Sequence, residues 1–144
     1  MSQRPSPTQL DTLKPAIREW AQELGFSALG FAPVELGDAE RGLMAWLANG
    51  YHGDMDYMAR HGPTRARPAQ LVPGTLSVIS VRLDYLPRAA EPWDNLADRQ
   101  RAYVSRYALG RDYHKLMRSR LQKLGERMAA EIGPFAFRAF SDSA

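Results

Sequence analysis

Apolar residues return along this chain in two rhythms, and the predicted elements follow from them. Leu10, Leu13, Ile17, Trp20 and Leu24 recur every three or four positions, which marks one face of a helix ending at Gly25. Pro15 falls inside that span and fits a helix that starts near Leu13 or bends at the proline. Residues 1–8, with Pro5 and Pro7, are expected to form a disordered tail, leaving 9–144 as the folded part. Ala28-Leu-Gly-Phe-Ala-Pro reads as a short strand closed by Pro33. A second helix is expected over 38–48, with Leu43, Trp46 and Leu47 on its apolar face and Gly50 beyond its end. The run 76–86 is the clearest strand, partly alternating and partly continuous, as suits a position near the centre of a sheet.

The most regular helical pattern comes later, where Tyr113, Met117, Leu121, Leu124, Met128 and Ile132 share a face and Asp112 stands as an N-cap or first-turn acid. Just before it lie a β-prone pair, Tyr103 and Val104, then polar Ser105 and Arg106 and a turn through Gly110. Such a strand-to-loop-to-helix junction gathers backbone N–H groups and the positive end of a helix dipole, so it suits anionic ligands. Phe135-Ala-Phe-Arg-Ala-Phe reads as a final strand, with Asp142 just past it. Between the early elements, 50–63 is too rich in glycine and mixed aromatic and polar residues for simple core, with a short helix over 54–60. The prolines and glycine of 64–74 predict a loop, and 87–101 a surface excursion. This order of elements predicts an α/β fold: a single layered domain with helices packed on a small mixed β-sheet.

A length of 144 residues suits one domain, and 44% hydrophobic with 24% charged residues excludes a disordered chain. The absence of cysteine rules out disulfides and thiolate metal sites within this chain and accords with a reducing compartment. No apolar run reaches membrane-spanning length, and the N-terminus lacks the apolar core of a signal peptide, so no membrane association is expected. Charge is divided unevenly: residues 1–98 carry 9 Lys and Arg against 12 Asp and Glu, and residues 99–144 carry 10 against 4. A basic face made by Arg120, Lys123 and Arg127 would suit a polyanion, and it would equally serve to solvate a helix.

Candidate chemistry falls in three places: the junction from Ser105 to His114, the loop with Arg65 and Arg67, and Asp142. In an α/β sheet these would gather outside the carboxyl ends of strands, where ligands bind. His52, His61 and His114 share no helix face, so no metal set is assigned, and phosphate-loop, dinucleotide and nucleophile-elbow motifs are missing. Two roles are open for Asp142. Partial desolvation beside Phe140 would raise its pKa and let it donate a proton near neutral pH, or it caps the following turn.

These residues together resemble a known family. Gly50-Tyr-His-Gly-Asp-Met-Asp-Tyr-Met, then Arg65 through Leu71-Val-Pro-Gly, then Tyr103-Val-Ser-Arg-Tyr-Ala-Leu-Gly-Arg-Asp-Tyr-His, then Asp142-Ser-Ala are similar to epoxyqueuosine reductase, in the family's order and spacing. The resemblance implies the last step of queuosine biosynthesis, the reduction of epoxyqueuosine to queuosine at the wobble position of a tRNA anticodon, carried out in the cytoplasm. It implies cobalamin and two [4Fe–4S] clusters as cofactors, with an external electron donor. It implies Asp142 as the acid that protonates the departing oxygen and as a neighbour of cobalamin, with Arg65 and Ser105 as further cobalamin contacts. Family members continue into a ferredoxin-like region whose cysteines hold the clusters, and that region is absent from this chain. The resemblance therefore implies the N-terminal, cobalamin- and substrate-binding portion, inactive when alone. The alternative is a non-catalytic module that binds tRNA or a corrinoid.

Overall fold

Helix α1 (Pro7–Glu23) and helix α6 (Tyr113–Ile132) are the two long elements, and they grip a two-stranded sheet. The structure, a computed structural model, describes residues 7–85 and 91–141. Between the long helices lie β1 (Ala28–Ala32), α2 (Gly37–Ala48), α3 (Asp56–Arg60), a 3-10 turn at Gly62–Ala66 and the one-turn α4 (Pro68–Leu71). They are followed by β2 (Val78–Arg82), α5 (Pro92–Ala97) and a second 3-10 turn at Arg106–Ala108.

The core forms where the apolar stripes meet. Leu13, Ile17 and Ala21 of α1, Phe26 just beyond it and Leu124 of α6 are buried. Each large aliphatic or aromatic side chain so buried contributes ~1.5–3 kcal/mol. Trp20, Leu24, Met117, Leu121, Met128 and Ile132 pack around them, so the apolar stripes of the two long helices meet from Leu13 to Leu24 and from Met117 to Ile132. Strands β1 and β2 pair antiparallel with Leu29 opposite Val81 and Phe31 opposite Ile79, and all four side chains face the core. The alternate pairs, Ala28 with Arg82 and Gly30 with Ser80, point to solvent, which is the period-two pattern of a half-buried sheet.

The layering read from the sequence, helices on a small sheet, is what forms: the chain is mostly helical with one small antiparallel sheet. The mixed pairing does not form among the described residues, because two expected strands find no ladder. Tyr103 and Val104 are 43% and 51% exposed and pair with nothing. The segment 135–140 instead lays Phe137 on α6, against Gly125, so it is held by side-chain packing and not by strand pairing.

Three further boundaries differ. Helix α1 begins at Pro7, inside the stretch expected to be tail, and runs through Pro15; residues 1–6 lie outside the described residues. Proline removes one helical hydrogen bond, to the carbonyl of exposed Asp11, which water can satisfy, while Leu13 and Ile17 on either side are buried. The loop expected over 64–74 contains two helical turns, because Pro63 and Pro68 occupy first-turn positions where a missing N–H costs nothing. The excursion expected over 87–101 includes α5, and its first part, 87–90, lies outside the described residues, as does position 86 at the end of the strand expected before it.

Candidate functional site

An open cleft of about 670 Å³ lies beyond the carboxyl end of β2, walled on one side by Arg82, Leu83, Asp84 and Tyr85 and on the other by Tyr103, Ser105, Arg106 and Tyr107. The second wall exists because Ser105 leads into a 3-10 turn, its carbonyl accepting the Ala108 N–H at 2.9 Å, so the chain doubles back before α6. Helix α6 is then started by Asp112, whose Oδ1 accepts the His114 backbone N–H at 3.0 Å and lies 2.8 Å from His114 Nδ1. The His114 ring, then the His114 N–H, hold the Asp112 carboxyl below the usual carboxylate range. The expected N-cap is therefore present.

Aromatic rings connect the cleft to that helix. Tyr85 meets Tyr107 edge-on at 6.5 Å, Tyr107 meets Tyr113 edge-on at 6.2 Å, and Tyr113 stacks on His114 at 4.2 Å. The two cleft arginines are in different electrostatic situations. Arg82 is neutralised, with Nε 3.2 Å from Asp84 Oδ1 and donating to Ser27 Oγ at 3.1 Å, while the Ser27 hydroxyl donates to Asp84 at 2.9 Å. Arg106 is half-buried and its guanidinium has no hydrogen bond or ion pair among the described residues.

Of the residues singled out from the sequence, Ser105 lines the cleft and Arg65 does not. Arg65 is half-buried in the first 3-10 turn, where Nε donates to the Met58 carbonyl at 3.1 Å and Nη2 to the Tyr57 carbonyl at 2.6 Å. Its guanidinium lies over the Tyr57 ring at 5.7 Å. It therefore closes the C-terminal end of α3. Neighbouring Arg67 makes a forked pair with Glu40 of α2, Nη2 to Oε1 at 2.6 Å and Nε to both oxygens at 3.1 Å. Through its hydrogen bond and charge, Arg67 holds the Glu40 carboxyl below the usual range. Asp142 lies outside the described residues. Ser141, just before it, is buried at 6% exposure, with its hydroxyl 3.9 Å from Met117 Sδ of α6.

Two residues of the basic face expected on α6 also touch other parts of the chain. Arg127 forms an ion pair with Glu23 and lies over the Trp20 ring at 4.9 Å, both on α1. Arg120 rests against Gly25, in the space a β-carbon there would occupy. Lys123 and Arg127 are both exposed and Arg120 is half-buried, and Lys123 has no ion pair among the described residues. The wall made by Arg82, Asp84 and Tyr85 escaped the sequence reading, which took 76–86 as a core strand; the signal was Asp84 between Leu83 and Tyr85, a charge where a central strand would stay apolar. No group of three or more His, Cys, Asp and Glu residues able to hold a metal occurs among the described residues.

Comparison with known proteins adds an independent line. A family model described as "Epoxyqueuosine reductase QueG, DUF1730" matches residues 65–143, which include both walls of the cleft. The chain is 60% identical over 139 residues to the epoxyqueuosine reductase of Pseudomonas aeruginosa, covering 96% of this chain and 38% of that protein. It is 58% identical over 128 residues to that of Vibrio cholerae, covering 89% and 35%, and 52% identical over 138 residues to that of Escherichia coli, covering 96% and 36%. The chain thus spans well under half the length of these relatives. No solved structure matches it.

Proposed function

The chain belongs to the epoxyqueuosine reductase QueG family, and from that membership we propose that residues 9–144 form the N-terminal, cobalamin- and substrate-binding portion of an enzyme reducing epoxyqueuosine to queuosine in tRNA. The observation that carries this reading is the cleft: within the family-matched segment, Ser105, the Arg106 guanidinium, which has no partner among the described residues, and three tyrosines line one open space. A corrin rimmed with amides fits such a wall, which offers the Ser105 hydroxyl, the tyrosine hydroxyls and the free donors of Arg106. Arg65 commits Nε and one Nη2 hydrogen to carbonyls, and its remaining donors are available to the same cofactor. Bound cobalamin supplies the reducing centre for opening an epoxide.

The residues of this chain then have separate tasks. Ser105 and Arg65 hold the cofactor, and Asp142 delivers a proton to the departing epoxide oxygen and borders the cofactor. Buried Ser141, whose hydroxyl meets Met117 of α6, holds the chain one residue before that acid. The two [4Fe–4S] clusters do not fit these residues, since no cysteine occurs in the 144 positions, and their ligands would come from other parts of a longer protein. Exposed Leu109, Leu116, Phe135 and Phe137 are apolar surface that such a longer protein would cover. The tRNA anticodon loop is the macromolecular substrate, an external donor supplies electrons, and the cytoplasm is the site of action. No described helix is long and apolar enough to cross a membrane.

The test is direct. The full-length protein, purified with cobalamin and reconstituted clusters, should convert epoxyqueuosine to queuosine in tRNA, read by mass spectrometry of the nucleosides. Binding of tRNA or cobalamin without any conversion would instead establish a non-catalytic binding module.

A further inference from the structure

We infer that residues 33–77 form a hinged arm that swings as one body against the core of α1, the sheet and α6, and that a ligand bridging Arg65 on the arm and Ser105 outside it arrests the swing. The inference rests on the proposed reading only for the identity of that ligand, cobalamin. The first observation is where the arm joins the core. Its chain leaves β1 after Ala32 and returns at Val78 of β2, and these two residues are register partners, so both connections lie side by side. The Ser77 hydroxyl donates across this base to the Ala32 carbonyl at 3.0 Å. Two connections meeting the core at one place make a hinge line, with Pro33 on one of them and, on the other, Gly74 at φ 80° in the left-handed region.

The second observation is how burial is divided. The buried core residues and the side chains packed against them all come from outside 33–77. Within the arm, α2 and α4 each pack on the 3-10 turn between them, Ala66 of that turn is buried, and the Trp46 ring meets His52 at 5.9 Å. Polar ties run inside the arm as well: Arg67 forks onto Glu40 of α2, and Arg65 donates to the Met58 and Tyr57 carbonyls. A segment tied internally, with little apolar burial against its neighbour, moves as a unit at low cost, on the microsecond-to-millisecond scale of hinge motions. Because both of its hydrogen bonds end on the arm, Arg65 travels with the arm. Ser105 lines the cleft on the chain that leads into α6, and Arg65 does not line that cleft. A ligand held by both therefore fixes the two bodies relative to one another and selects one position of the arm.

The experiment reads distances in the full-length protein, with spin labels carried on non-canonical residues so that cysteine chemistry is avoided. Label pairs are placed at Ala45 and Ala69 within the arm, at Glu19 and Ser119 within the core, and at Ala45 and Ser119 across the hinge, all exposed positions. Without ligand, the pair across the hinge should give a broader distance distribution than either internal pair. Hydroxocobalamin, whose cobalt is diamagnetic, should narrow that distribution and leave the internal pairs unchanged. Ser77→Ala, which frees the base, should broaden the cross-hinge pair alone, whereas Glu40→Gln, which cuts the fork, should broaden the pair within the arm. A ligand-free cross-hinge distribution as narrow as the internal ones would overturn the inference, since the arm is then fixed by the core or by the rest of the longer protein. Cobalamin bound, by absorbance, with no narrowing would overturn the arrest by a bridging ligand. Failure of cobalamin to bind at all is a failure of the proposed reading, and the ligand-free widths still decide the hinge.

Discussion

The ring of Phe137 lies on Gly125 of α6 so closely that a β-carbon at position 125 would overlap it. Gly125 is buried in the middle of a helix, where glycine costs ~1 kcal/mol relative to alanine, so its presence is accounted for by what it makes room for. The contact fixes the segment that leads, four residues on, to buried Ser141 and then to Asp142.

Gly125→Ala should therefore separate stability from activity. The alanine favours the helix by ~1 kcal/mol while expelling Phe137, whose side chain sits at the surface end of its packing and can swing away. Net stability should move by ~1 kcal/mol or less, while hydrogen exchange in 135–141 speeds up and turnover of the full-length enzyme falls. A melt and an exchange profile matching wild type would show that the ring finds another seat.

The Asp112 cap gives a pH dependence of defined sign. Its folded-state pKa lies below the unfolded value because the His114 ring and then the His114 N–H stabilise the carboxylate. Its contribution is thus fully present above the unfolded carboxylate value of about 4 and is lost as pH falls through the lower folded value. Asp112→Ala should melt below wild type near neutrality, and the two melting temperatures should converge as the pH is taken below about 4. A gap that persists in acid would mean that the cap acts through something other than charge.

Arg65→Lys tests whether Arg65 has one task or two. Lysine cannot keep both the Met58 and Tyr57 carbonyls while retaining the stack on Tyr57, so stability should fall by ~1–3 kcal/mol, the range for losing charged hydrogen bonds. If the remaining donors also hold cobalamin, cofactor retention should fall further than the loss of folded protein accounts for. Retention that merely follows the melt would confine Arg65 to closing α3.

Much of the fold could be read from the sequence because α1, α6 and the two strands announce themselves locally: one apolar stripe or one alternation each, bounded by Gly25, Asp112 and Gly133. What could not be read depends on tertiary partners. Whether Phe135 to Phe140 becomes a strand is decided by whether a neighbouring strand offers a ladder, and here Gly125 offers a flat seat instead. Likewise, Arg120 and Arg127 look like solvated charges in a helical repeat until Gly25, Glu23 and Trp20 of another element are placed beside them. The cleft was half legible: Ser105 and Arg106 were visible as a polar break, and the opposite wall was concealed within an apolar run.

Arg127 yields a prediction opposite to that for a nucleic-acid face. Arg127→Glu places a carboxylate against Glu23 and removes the cation from Trp20, so it should destabilise by ~1–2 kcal/mol. Lys123→Glu should leave the melt within ~0.5 kcal/mol. Neither should lower the slope of log affinity for tRNA against log salt by as much as about one. A large slope change from Lys123→Glu with an unchanged melt would restore α6 as a contact surface for the polyanion.

The acid assigned to Asp142 is the most exacting test of the proposed reaction. Asparagine has the same shape and still hydrogen-bonds, but it has no proton to give to the departing epoxide oxygen. In the full-length enzyme Asp142→Asn should keep fold and cobalamin while turnover drops ~10²-fold or more, the size of a positioned general acid's contribution. More tRNA should not restore the rate, because the missing step follows binding. If Asp142 instead only caps a turn after Ser141, the same change should cost ~1 kcal/mol or less of stability and leave the rate near wild type. The neighbouring Ser141→Ala supplies the comparison. It removes the hydroxyl that meets Met117 but not the carboxyl, so it should loosen 135–141 and reduce turnover by less than Asp142→Asn does. Single-turnover rates with prereduced enzyme, taken beside thermal melts, rank the two variants. An equal loss in both would assign the effect to the position of the segment and remove the proton from Asp142.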